Sequence, residues 1–134
     1  MLDSRFEPAA PFSDEEINKI ESSIGRELPK DYCEFVKNYG GAFVGGLIDG
    51  AADLPILTFF GTDENKGILS KLRTYPDLQN EGFLPIANCE LGNIYVLNRE
   101  NAVHYLNYYG GKTTARKVAD TFREFVTRIV VHDE

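Results

Sequence analysis

The spacing of apolar residues changes character twice along this chain, and that change limits what it can fold into. Up to Tyr39 the apolar side chains recur every three or four residues: Ile17, Ile20 and Ile24, then Tyr32, Phe35, Val36 and Tyr39. From Pro55 onward they gather instead in short runs rich in β-branched and aromatic residues, separated by polar or glycine-bearing turns. The helical spacing returns at Phe122, Phe125, Val126, Ile129 and Val130. Two helical stripes, a series of strands and a final helical stripe must share one core. The order predicts an α+β fold with a largely antiparallel sheet covered by helices on one face.

The helix ends carry their own signals. Ser13 and Glu16 have the spacing of a capping box, in which each side chain satisfies the other's backbone amide. Gly25 suits the left-handed residue that closes the first helix. Pro29 fits the first position of the second helix, and Gly40-Gly41 ends it. Cys33 falls at the edge of that helix's apolar stripe. Thr121 and Glu124 repeat the capping spacing before the last helix. The predicted strands are 56–60, 82–87 (with Pro85 marking an edge or a bulge), 93–97 and 103–109. The polar turn 98–101 makes the last two a hairpin. A short helix around Ile68, Leu69 and Leu72 is expected between the first two strands.

The chain holds 134 residues, with 14 Lys and Arg against 21 Asp and Glu, a formal charge of −7. That length supports one core, and a single domain over 1–134 is expected. The acidic balance opposes direct nucleic-acid binding, which needs clustered cations, and opposes an anionic membrane surface. It favours a basic protein partner. No apolar run approaches the length of a membrane span, and Met1–Pro8 has no apolar signal core. Cys33 and Cys89 match neither a redox nor a zinc pattern, so the expected location is the cytoplasm.

Four constellations could carry chemistry. Gly110-Gly111-Lys112-Thr113 ends like a phosphate loop, but Leu106 stands where the loop's first glycine is needed, and a strand turn is the better reading. The glycine-dense 40–46 stretch follows a helix rather than a strand, the reverse of a dinucleotide fingerprint. It reads as a helix cap and a mobile connection, with 40–53 as a candidate binding loop. Cys89 and His104 could form a nucleophile–base dyad, although no third orienting group can be named. Asp49, Asp53, Asp63 and Glu64 flank the strand at 56–60, and converging loops would make them an acidic rim for a partner's Lys and Arg. No catalytic set, metal site or cofactor is expected.

Ile20-Glu21, Ile24-Gly25, Leu28-Pro29-x-Asp31-Tyr32-x-x-Phe35-Val36 and Tyr39-Gly40-Gly41 together resemble the opening of the SUKH superfamily, the Smi/Knr-type domain. The resemblance continues in order through Leu84-Pro85-Ile86, Gly92-Asn93, the hairpin and Ala119-Asp120-Thr121-Phe122-x-Glu124-Phe125, nearly the whole chain. The chain departs from many relatives at Tyr39, where Asn commonly precedes the glycine pair, and in the hairpin turn, where it has Asn98 and Asn101 rather than an Asp-to-Gly turn. The resemblance implies an α+β scaffold without established catalytic residues. Bacterial members widely serve as immunity proteins that neutralise a toxin domain, often a nuclease, while fungal members act in cell-wall assembly signalling. A non-enzymatic immunity protein with a basic toxin partner is therefore the expected function. The alternative is a regulatory module binding a peptide or small ligand through 40–53.

Overall fold

The computed structural model describes residues 6, 9–63, 67–89, 92–107 and 114–131. Two helices come first, α1 at Asp14–Ile24 and α2 at Lys30–Tyr39. The capping box forms as expected: the Glu16 amide donates to Ser13 Oγ at 3.1 Å and the Ser13 amide to Glu16 Oε1 at 2.9 Å. Gly25 closes α1 at φ 73. The stripes Ile17, Ile20, Ile24 and Tyr32, Phe35, Val36, Tyr39 are buried.

Seven strands follow, β1 at Phe43–Ile48, β2 at Pro55–Phe59, β3 at Leu84–Asn88, β4 at Ile94–Leu97, β5 at Val103–Asn107, β6 at Thr114–Ala119 and β7 at Ile129–Val131. They form one antiparallel sheet in the order β6-β5-β4-β3-β2-β1-β7. Between β2 and β3 lie α3 at Ile68–Thr74 and α4 at Pro76–Glu81, and α5 at Phe122–Thr127 joins β6 to β7. The chain is α+β.

Several elements differ from the sequence expectation, each for a local reason. The glycine-dense 40–46 stretch caps α2 at Gly40 and then enters a strand, β1, where a mobile connection was expected. Its glycines answer close approaches: Gly45 turns at φ 65 beside the bulge between Phe43 and Gly46, and a Cβ on Gly46 would meet Val130 O at 2.5 Å. Pro29 stands just outside α2 with an extended ψ of 151, because the α1–α2 connection has not yet turned. Pro85 sits in an interior strand, where a register shift before Ala87 accommodates the missing amide; the bulge reading holds and the edge reading does not. Ile129 and Val130 leave the helical stripe, since α5 stops at Thr127 and β1 offers them ladder partners at Ile48 and Leu47. The phosphate-loop candidate 110–113 lies outside the described residues.

Aromatic rings join the layers. Phe59, Ala87, Tyr95 and Tyr105 are successive cross-strand partners and therefore share one face of the sheet. On that face Phe35 of α2 meets Phe59 at 4.7 Å and Phe122 of α5 at 5.2 Å, while Phe125 meets Tyr95 at 5.1 Å. Phe6 adds edge-on contacts to Phe35, Tyr39 and Phe59. Such ring pairs contribute roughly 0.5–1.5 kcal/mol each beyond area burial.

One polar side chain ties the helical layer to the strand turns. Arg26, in the α1–α2 connection, donates from Nε to Gly82 O at 3.0 Å, from Nη1 to Asn101 Oδ1 at 2.6 Å, and from Nη2 to Leu97 O and Asn98 O at 3.1 and 2.8 Å. Asn101 itself adopts φ 65, the left-handed turn that asparagine tolerates. Arg26→Ala should cost about 3 kcal/mol in urea unfolding, since it removes charge-assisted bonds and strands partly buried carbonyls. Arg26→Lys should recover less than half, because an ammonium cannot span the same fork.

Tyr32 gives the opposite expectation. Its ring packs edge-on against Phe122 at 5.0 Å, but its hydroxyl is buried with no hydrogen-bond partner among the described residues. Tyr32→Phe should leave the urea midpoint unchanged or raise it, whereas Tyr32→Ala should lower stability by about 3–5 kcal/mol.

Candidate functional site

The acidic candidates fall into two places. Asp49 occupies the β1–β2 turn at φ 56 and is gripped by Arg128, whose Nε lies 3.1 and 2.9 Å from the two carboxylate oxygens and whose Nη2 also donates to Oδ2. The Asp49 amide donates to Arg128 O at 2.7 Å, so backbone and side chain are both tied to the turn after α5. Asp53, in the same hairpin loop, accepts from Arg116 Nη1 at 2.7 Å. The guanidinium of Arg128 holds the Asp49 carboxyl below the ordinary range, and that of Arg116 does the same for Asp53. Both carboxylates are exposed, so the pairs position the loop more than they stabilise it.

The Asp53–Arg116 contact also reports the shape of the sheet. Arg116 belongs to β6, and three strands separate β6 from β2. In a flat sheet that spacing would be about 19 Å. A direct ion pair requires the sheet to curl strongly, and the Tyr95 hydroxyl, donating to Pro55 O at 2.8 Å across β3, follows the same curvature.

Asp63 lies beyond the other end of β2, where it lines a cavity of about 460 Å³ with Glu16, Lys19, Thr62 and Arg73. Glu64 lies outside the described residues. Asp49 and Asp53 thus share one rim, and Asp63 stands apart from them.

The Cys89–His104 pair is not assembled. Cys89 Sγ sits 3.3 Å from the Tyr105 hydroxyl, which also accepts from Asn93 Nδ2 at 3.1 Å. His104 precedes Tyr105 on β5 and so points to the opposite face. Its Nε2 lies 3.1 Å from Asn98 Nδ2. Asn98 Oδ1 accepts the amides of Glu100 and Ala102 at 2.9 and 3.0 Å, which turns the Asn98 amide nitrogen toward His104 as donor. His104 must then be neutral, with its proton on Nδ1. Among the described residues no group of three His, Cys, Asp or Glu could hold a metal ion, and no helix is long and apolar enough to cross a membrane.

Partial burial is the main cause that lowers the His104 pKa from its ordinary value, with Lys117 adding to it. The folded state therefore binds the proton more weakly than the unfolded chain. His104's contribution to stability is complete above about pH 6.5 and is lost as pH falls toward the folded value. NMR titration should place His104 below 6.5, and His104→Gln should flatten part of the stability loss between pH 7 and 5.

Two further cavities lie elsewhere. One of about 380 Å³ between α2 and α5 carries Asp31, Glu34 and Arg123 over an apolar floor that includes Phe35 and Phe122. Another, of about 430 Å³, runs along α4, with Asp77 and Glu81 facing Leu106 and Ala115. Sequence reasoning passed over this second place. The usable signal was Pro76 at a helix start and Gly82 six residues later, bracketing one short helical turn with its two acids.

The family model described as SMI1 / KNR4 family (SUKH-1) matches residues 11–128. No curated protein matches the chain at a significant level.

Proposed function

Because the chain belongs to the SMI1/KNR4 family (SUKH-1), we propose that it is an immunity protein that binds a cognate, basic, nuclease-type bacterial toxin domain and neutralises it by covering its working surface. The observation that carries this reading is the family match over residues 11–128, since the family is known for immunity proteins and its domain is generally non-enzymatic. The charge of −7 is of the sign a basic partner requires. The well-packed aromatic core supplies a preformed surface, which lowers the ordering cost of association. The reading places the protein in the cytoplasm, where the toxin would be met before export.

In this account Asp49, Asp53, Asp63 and Glu64 are the candidate acidic contacts. Arg128 and Arg116 hold Asp49 and Asp53 in fixed positions, and their carboxylate oxygens stay accessible to a second cation.

The test is direct. Purified protein mixed with the toxin domain encoded beside it should form a stable complex on gel filtration, and co-expression should restore growth. Absence of a complex with every neighbouring product ends the proposal. Replacing Asp49, Asp53 and Asp63 by Asn and Glu64 by Gln should slow association several-fold at low salt, with the difference vanishing as salt screens the charges. An unchanged rate removes the acidic contacts and leaves inhibition intact.

A further inference from the structure

We propose that the cavity along α4 is a socket for a basic side chain, arginine or lysine, projecting from a protein partner. The inference rests on the basic partner proposed above and locates one contact with it. Its volume of about 430 Å³ is at the lower end of binding pockets, large enough for one long side chain and its flanking backbone.

Three properties of the walls select that occupant. Asp77 and Glu81 stand four residues apart on one face of α4, so their charges repel each other; the start of the helix favours Asp77 but leaves Glu81, in its last turn, unrelieved. Neither has an ion-pair partner among the described residues, in contrast to Asp14, Asp49, Asp53, Asp120 and Glu124. Tyr75, Phe83 and Leu106 supply an aromatic and aliphatic wall beside them. Such a wall packs the methylene stem of a long cation while the carboxylates meet its charged end.

Charge composition separates this cavity from the other two. The cavity beside α1 contains Lys19 and Arg73, and the one between α2 and α5 contains Arg123. The lining along α4 has no Lys, Arg or His among the described residues. The cations at the end of α4, Arg26 and Arg99, donate instead to the backbone carbonyls of Gly82 and Asn80. Leu106 and Ala115 are cross-strand partners that alternate with Tyr105 and Arg116, so the socket lies on the face of the sheet opposite the Asp53–Arg116 pair. The two acidic places can therefore be altered independently.

The probe is the blocked tripeptide acetyl-Arg-Leu-Arg-amide, titrated into the ¹⁵N-labelled full chain and followed by amide shifts. The expected result is a saturable shift confined to residues 74–83, 106 and 115. Asp77→Asn with Glu81→Gln should weaken binding about fivefold or more, with the rest of the spectrum unchanged. Asp49→Asn with Asp53→Asn should leave it as it was. The peptide with citrulline in place of arginine should not bind. Shifts centred elsewhere, indifference to the Asp77/Glu81 double variant, or equal binding of the citrulline peptide overturns the socket. Tighter peptide binding by Lys112→Ala also overturns it, because the occupant would then be the chain's own lysine.

The toxin complex provides the second arm. A tight complex unaffected by the Asp77/Glu81 double variant, together with no localised peptide shift, removes the socket and leaves the immunity reading standing. A localised peptide shift without any toxin complex does the reverse.

Discussion

The contact between Phe35 of α2 and Phe59 of β2, with ring centroids 4.7 Å apart, is where the helical layer and the sheet become one body. Around it Phe6, Tyr39 and Phe122 close in, and Phe125 extends the cluster to Tyr95 on β4. These rings come from the amino-terminal arm, the first helix pair, the sheet and the last helix. No segment can leave without opening the packing of another, which is why dense interiors transmit local change. The surface positions of the acidic residues are consequences of this cluster, since it sets where the strands and their turns can lie.

The curl of the sheet decides what those acidic residues can do. Asp49 and Asp53 hold the β1–β2 loop against the turn after α5 and against β6 through two arginines. Their negative charge is partly answered inside the molecule, so they contribute position and an accessible oxygen rather than an isolated charge. The pair on α4 is different in kind, with no ion-pair partner among the described residues. One protein surface thus presents acids in two electrostatic conditions, on opposite faces of a single sheet.

Much of this architecture was legible before the coordinates. Capped helices announce themselves locally, so Ser13 with Glu16, Gly25, and Thr121 with Glu124 marked their helix ends within a residue or so. The strands β2 to β5 were readable because each carries its own apolar run. β1 was hidden because Gly45 and Gly46 stand where side chains would normally advertise a strand, and only the bulge at Gly45 and the approach of β7 to Gly46 explain them. β7 was read as helix because Ile129 and Val130 continue the α5 spacing, and the competing ladder on β1 is invisible to any local window. The charges were seen one by one, but their arginine partners, 63 and 79 residues away in sequence, were not. Pairings across such separations belong to topology, not to spacing.

The placement of β7 has a consequence for when the molecule can exist at all. β1 ends at Ile48, yet its outer neighbour is built from residues 129–131, about eighty residues further along. A ribosome must deliver all the residues between them before β1 is flanked on both sides. A chain synthesised or truncated short of β7 keeps a bare strand edge on β1, open to passing polypeptides.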